Sequence, residues 1–330
     1  MLHVHRAERA DGLVDGLREL LLAPPADPFA REVVAVPTRG IERWLAQRLS
    51  GGLGTSPGRG DGICANVAFP SPRALTGEAV AAASGIDPEA DPWVPERSVW
   101  PLLDVVDAAL DEPWLARLAA HLRAGAAEVR AARRFAGVCR VAELFDRYAL
   151  HRPDMVRAWA RGEDADGAGR PLRPEAAWQA ELWRRLDAAL DVPGPAERLA
   201  DACAALRARP DLLELPERVG LFGLTRLPAG HLEVLAALAA GRDVHLFVLH
   251  PSPALWERVA ALPPVRHRAQ DGSGKLPRNP LLASWGQDVR ELQLVIAAAG
   301  EHADRHHPSA AAATPETLLE RLQAAVRADA

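Results

Sequence analysis

The 330-residue chain is poor in the residues that build common cross-linked and catalytic sites. Cysteine occurs only at Cys64, Cys139 and Cys203, far apart and with no C-x-x-C pair. That excludes a disulfide framework and a zinc ribbon, and it fits a reducing compartment. No run of about 18 apolar residues occurs, and no charged n-region followed by an apolar h-region opens the chain, so neither a membrane span nor an export signal is expected. The expected location is cytoplasmic. The eleven histidines include no H-E-x-x-H. His306-His307 sits in a polar Pro/Ala stretch without cysteines or paired carboxylates, so the pair reads as surface histidine and no metal site is expected. G-x-S-x-G, the acyl-transfer signature, is absent too.

Lysine is nearly missing as well: Lys275 is the only one, and the other basic residues are arginine. The net charge of −5 conceals an asymmetry. Leu115 to Arg161 holds ten Arg against four acidic residues, a balance of +6 that leaves −11 for the remainder. A basic face on an acidic protein points to nucleic acid, against the plainer reading of a solvated arginine-rich helix surface. With 48% hydrophobic and 25% charged residues, the chain has the composition of a globular protein long enough for two domains.

Val33 to Leu49, VVAVPTRGIERWLAQRL, reads as a buried strand, a tight turn at Gly40 and an amphipathic helix over Ile41 to Leu49. In a nucleotide-binding protein this is the place of the phosphate loop. A working loop needs G-x-x-x-x-G-K-[ST], but Ile41 and Glu42 follow Gly40, and a carboxylate there repels phosphate. A later strand, Leu221-Phe222-Gly223, would end in Mg²⁺-binding acids in an active NTPase; no carboxylate lies between Gly220 and Gly230. Both halves of an ATP site are therefore missing, and no catalytic site is expected.

Leu2 to His5 reads as a strand, and Asp11 is placed to cap a helix that runs to Leu22 and is stopped by Pro24-Pro25. With Val33 to Val36 this makes a β-α-β unit and favours a parallel sheet. Gly51 to Gly62 reads as a surface loop, and its Arg59-Gly60-Asp61 tripeptide as chance. From Leu75 to Ala208 the pattern is helical, broken by Pro92, Pro95, Pro101, Pro113 and Pro153, with a linker at Gly162 to Pro174 splitting it in two. Phe135, Val138, Ala142, Phe145 and Tyr148 form one apolar stripe there. Val219 to Gly223 and Val244 to Leu249 resume the sheet around a helix ending at Ala240. The expected architecture is an α/β, P-loop-NTPase-like (superfamily-1 helicase-like) parallel sheet domain lacking ATPase motifs, with a large all-helical insertion. Residues 1–74 and 209–330 form the sheet domain and residues 75–208 the insertion.

Weaker signals read plainly. Gly272-Ser273-Gly274-Lys275-Leu276 lacks the first glycine and the hydroxyl residue of a phosphate loop and reads as a disordered loop. Glu143 and Asp146, at i, i+3 beside Arg147 and Arg152, read as solvated charge pairing rather than a nuclease centre. Nine tryptophans, several beside arginine, admit base stacking, yet Trp44, Trp159, Trp178 and Trp183 read mainly as helix packing. Arg39, at the start of the Ile41 helix, is a candidate phosphate contact.

Seven blocks occur in order along the chain: VPTRGIERWL (Val36 to Leu45), GICANVAFP (Gly62 to Pro70), AELFDRY (Ala142 to Tyr148), HRPD (His151 to Asp154), AWQ (Ala177 to Gln179), FGL (Phe222 to Leu224) and NPLLASWG (Asn279 to Gly286). Together they make the chain resemble the N-terminal part of the RecC family, the gamma subunits of exodeoxyribonuclease V in the bacterial RecBCD helicase/nuclease. The resemblance implies a helicase fold without ATPase activity. It also implies RecB and RecD as partners and double-stranded DNA ends and single-stranded DNA as ligands, with no membrane. No cofactor is implied in this chain, ATP and Mg²⁺ being used by the partner subunits. Such a subunit helps split the duplex, channels the strands and inspects the 3′-tailed strand for Chi. The implied channel residues are Pro37, Arg39, Arg43, Ser71, Glu143, Leu144, Asp146 and Arg152. Family members run several times longer, so the chain reads as a truncated fragment whose tail, from Thr314 to Ala330, is an unfinished amphipathic pattern. A protein–protein scaffold without DNA contact is the alternative.

Overall fold

The computed structural model describes residues 1–330 except 28, 56–61, 88–89, 125, 266–270 and 309–314. Arg59-Gly60-Asp61 and Thr314 lie outside the described residues. Contacts divide the chain into two units, one of residues 1–79, 206–227 and 231–330 and the other of residues 80–205 and 228–230.

The first unit is a six-stranded sheet made of β1 (Leu2–Ala7), β2 (Glu32–Ala35), β3 (Val67–Ala68), β4 (Arg218–Leu224), β5 (Asp243–Leu249) and β6 (Ala303–His306). The spatial order is β3-β2-β4-β5-β1-β6, and every pairing is parallel. The apolar runs of β4 and β5 are buried almost throughout, as strands covered on both faces must be. Helix α1 (Ala10–Leu22) lays Leu13, Val14 and Leu17 on the sheet, and α2 (Arg39–Ser50) adds Leu45 and Leu49 to a core that includes Val34, Phe222 and Phe247. These are the apolar faces expected from three-four spacing.

Several local expectations are corrected. The turn before α2 is at Val36 to Thr38, because Thr38 is extended and accepts from Ile41 N–H at 3.3 Å; Gly40 lies inside the first helical turn. Helix α1 starts one residue before Asp11, with Arg9 as its uncapped N-cap, and Asp11 sits in the first turn facing Arg9 and Arg48 at 3.7 and 3.6 Å. His306 belongs to β6 and His307 follows it, bonded into the sheet rather than standing on the surface. Ser273–Lys275 forms an ordered 3-10 turn whose Ser273, fully buried, accepts from Arg290 at 3.3 Å. The missed strands β3 and β6 are short, two and four residues.

The same unit carries α11 (Pro253–Ala260), α12 (Pro280–Trp285), α13 (Gln287–Ala298) and α14 (Leu318–Ala328). Leu255, Val259, Leu282 and Leu294 form a second small core, with Val326 of α14 packed against it. The tail is thus a docked helix, opened by a capping box between Thr317 and Glu320.

The second unit is helical: α4 (Pro95–Ala108), α5 (Ala116–Arg123), α6 (Ala127–His151), α7 (Pro153–Ala160), α8 (Ala177–Leu190) and most of α9 (Pro195–Ala208); α3 (Pro72–Ser84) runs into it, and α10 (Ala229–Leu238) begins at its edge. One core runs from Trp93 to Ala196 and includes Val138, Ala142 and Phe145 of the expected stripe. The Gly162 to Pro174 segment does not split this core: it folds back through an Ala165–Pro171 bridge and accepts a bond from Trp159 Nε1 at 3.0 Å. Prolines mark starts more than breaks. Pro95 and Pro153 open α4 and α7, where a missing N–H costs nothing, while α4 continues through Pro101. Trp159 and Trp183 are buried as packing residues, whereas Trp100 and Trp285 are exposed. Among the described residues no helix is long and apolar enough to cross a membrane.

Candidate nucleic-acid interface

Strands that all run one way bring their C-terminal ends to one edge, where the following turns and helix N-termini gather. Val36 N–H donates to Pro70 O at 2.9 Å and ties the turn after β2 to the turn after β3. Each turn then enters a helix through a hydroxyl cap. Thr38 caps α2, and Ser71 Oγ accepts from Ala74 N–H at 3.1 Å at the start of α3. Two helix N-termini, each with spare N–H groups and a partial positive charge, therefore share the edge.

Pro37, Arg39, Arg43 and Ser71 are all exposed there. Arg39 opens α2 and Arg43 follows one turn later; neither makes an ion pair among the described residues. Beside them Gly223, at a bulge one residue before the end of β4, turns the chain against Ile41 with a φ of +74°, and exposed Thr225 and Arg226 follow the strand. Arg226 reaches Asp288 at 3.5 Å. Glu42 in the first turn of α2 is the one carboxylate within the Arg39–Arg43 turn.

The other four residues lie in the second unit, at the C-terminal end of α6. Glu143 is exposed and pairs with Arg147 at 3.6 Å, the solvated i, i+4 pairing expected from sequence. Leu144 and Asp146 are half-buried in the same turn. Arg152 is both the last cap of α6 and the first of α7, its N–H donating to Tyr148 O at 2.8 Å. Its guanidinium stands 6.0 Å over the Tyr148 ring. Tyr148 in turn donates to Gln179 Oε1 at 2.9 Å, and burial pushes its hydroxyl pKa up. The eight residues thus form two groups of four, one on each unit. Thr38, Thr225 and Arg226 were missed; of these only Thr38 carried a signal, as a cap residue ahead of the Ile41 helix.

The family model described as "RecC, N-terminal domain" matches residues 2–329. The chain is similar to the RecBCD enzyme subunit RecC of Mycobacterium tuberculosis, 43% identical over 337 residues, which covers all of this chain and 29% of that protein. It is similar to the subunit of the same name from Mycolicibacterium smegmatis, 42% identical over 333 residues, covering all of this chain and 28% of that protein. For that of Escherichia coli K12 the identity is 25% over 359 residues, covering 98% of this chain and 30% of the relative. The chain spans under a third of the length of these relatives. A match along nearly its whole length and this degree of identity make the chain a member of the RecC family, corresponding to its N-terminal domain.

Proposed function

We propose that this domain is a non-catalytic part of a RecBCD-type ATP-dependent helicase/exonuclease that processes double-strand DNA breaks for recombinational repair. Its role is to guide unwound single strands and to scan the 3′-tailed strand for Chi, in complex with RecB and RecD. The observation that carries the reading is the C-terminal edge of the sheet: two hydroxyl-capped helix N-termini with exposed Arg39 and Arg43, which make no ion pair among the described residues. Such an edge receives phosphates without sequence preference. Arginine at these positions favours backbone contact over base readout.

The parallel sheet and the helical unit between β3 and β4 are what a helicase-like ancestor would leave. Its fuel chemistry is missing from the sequence: no Lys-Ser/Thr follows Gly40, and Thr225-Arg226 stands where magnesium-binding acids would be. No cofactor is assigned to this chain; ATP and Mg²⁺ belong to the partner subunits. A second reading, a scaffold that touches only protein, draws on the exposed Trp285 and Leu281 of α12 and Leu318, Leu319 and Leu322 of α14.

Fluorescence anisotropy of the assembled complex with tailed duplex DNA tests the proposal. Binding that weakens steeply as salt rises supports it, because phosphate contacts release counterions. Undetectable or salt-insensitive binding by an intact assembly supports the scaffold reading instead.

A further inference from the structure

The opposite, N-terminal edge of the sheet carries a cluster unrelated to the DNA reading. His3 on β1 and His245 on β5 are register partners, and Asp243 precedes His245 by two residues, so all three side chains leave the same face of the sheet. Their potential ligand atoms all lie within 4.8 Å of one another. His3 Nε2 and Asp243 Oδ1 are 3.2 Å apart, and the side chains are 26% and 55% exposed, so an ion can reach them from solvent. His245 is buried and fixed.

What fixes it is a chain of imidazoles. His245 Nδ1 bonds His5 Nε2 at 3.1 Å, and His5 Nδ1 bonds His307 Nε2 at 2.9 Å. His307 fits because Gly16 of α1 has no side chain; a Cβ there would meet the imidazole at 2.6 Å. In one of the two proton arrangements open to this chain, His5 donates to His307 and His245 donates to His5. That arrangement leaves His245 Nε2 unprotonated, with a lone pair to offer an ion. Such an outer hydrogen bond is how a ligating histidine is held in the right tautomer and orientation.

We propose that His3, Asp243 and His245 form a binding site for a divalent first-row transition ion, Zn²⁺ by its ligand set, with His5 and His307 as outer-shell positioning residues. Two imidazoles and one carboxylate are standard partners for this ion, water supplying the fourth position. Donors held about 2.0–2.1 Å from one tetrahedral ion stand roughly 3.3 Å apart, close to the 3.2 Å that separates His3 Nε2 from Asp243 Oδ1. His3 now stacks on His245 at 4.5 Å and 11°, and binding turns it out of that stack so that its lone pair points at the ion. Asp243 Oδ1 also accepts from the Met1 amine at 3.2 Å, which leaves Oδ2 for the ion. The ion would clamp β1 to β5 at positions some 240 residues apart in the chain.

Isothermal titration of the chelator-treated, tag-free chain with ZnCl₂, and optical titration with CoCl₂, test the site. The expected result is one saturable site, with four-coordinate Co²⁺ bands and no thiolate charge-transfer band. His3→Gln and Asp243→Asn, which change exposed side chains, should each weaken binding at least about tenfold while far-UV circular dichroism stays unchanged. His302→Gln, on a histidine outside the cluster, should leave it intact. Absence of saturable binding, equal affinity in His3→Gln and Asp243→Asn, or a thiolate band placing the ion on Cys64, Cys139 or Cys203 would overturn the assignment.

Discussion

Val36 gives its backbone N–H to the carbonyl of Pro70 at 2.9 Å, and this one bond sets two loops side by side so that Thr38 and Ser71 cap adjacent helices at one edge of the sheet. The edge is defined by backbone and two hydroxyls, and the arginines are added to it.

Removing either hydroxyl exposes helix N–H groups without changing the fold. Thr38→Ala and Ser71→Ala are each expected to cost about 1 kcal/mol, read as a lower midpoint in urea unfolding with an unchanged slope. Serine at position 38 should restore most of the loss.

In the helical unit, Arg198 and Asp91 meet at 2.6 Å with side chains only 8% and 16% exposed. Breaking such a pair from one side strands a charge in a poor solvent. Arg198→Met is therefore expected to destabilise by roughly 3–5 kcal/mol, measured by thermal or urea denaturation. The double change with Asp91→Leu should recover a large part of that.

Acid acts on the buried histidines. Burial, aided by neighbouring positive groups, lowers the pKa of His5 to about 3, of His245 to about 4 and of His250 to about 3, from an ordinary 6.5. Below pH 6.5 the unfolded chain takes up these protons and the folded chain does not, so stability is complete above that value and falls as pH drops toward 3–4. The loss is about 1.4 kcal/mol per pH unit for each histidine at most. Urea unfolding between pH 7.5 and 5 should show it, and His5→Gln should make the decline shallower.

Much of the sheet was legible because β4 and β5 are continuous apolar runs and α1 and α2 keep strict three-four spacing. What escaped is long-range. Strand β1 reads as Leu-His-Val-His-Arg, and nothing local explains why His5 and Arg6 are buried. The reason is partners far along the chain: Asp304 and Glu257 for Arg6 at 3.0 and 3.2 Å, and His245 and His307 for His5. Strand β6 was invisible because its Ala-Asp-Arg-His has neither apolar alternation nor length. Of the candidate site, the pairing of Glu143 with Arg147 followed from helical spacing, whereas the adjacency of Thr38 and Ser71 follows from β2 pairing with β3.

With no lysine in the turn after β2 and no acid after β4, this chain is expected to take no nucleotide. A photoreactive ATP analogue applied to the assembled complex should label partner subunits and leave peptides of this chain unmodified.

The most direct measurement of the account is the salt dependence of DNA binding by the assembled complex carrying Arg39→Ala and Arg43→Ala. If these arginines hold phosphates of a single strand, affinity for a 3′-tailed duplex falls, and the slope of log affinity against log salt becomes shallower by about 1.4, with subunit assembly intact. Unchanged affinity and slope in a fully assembled complex would contradict a DNA-guiding role for this edge.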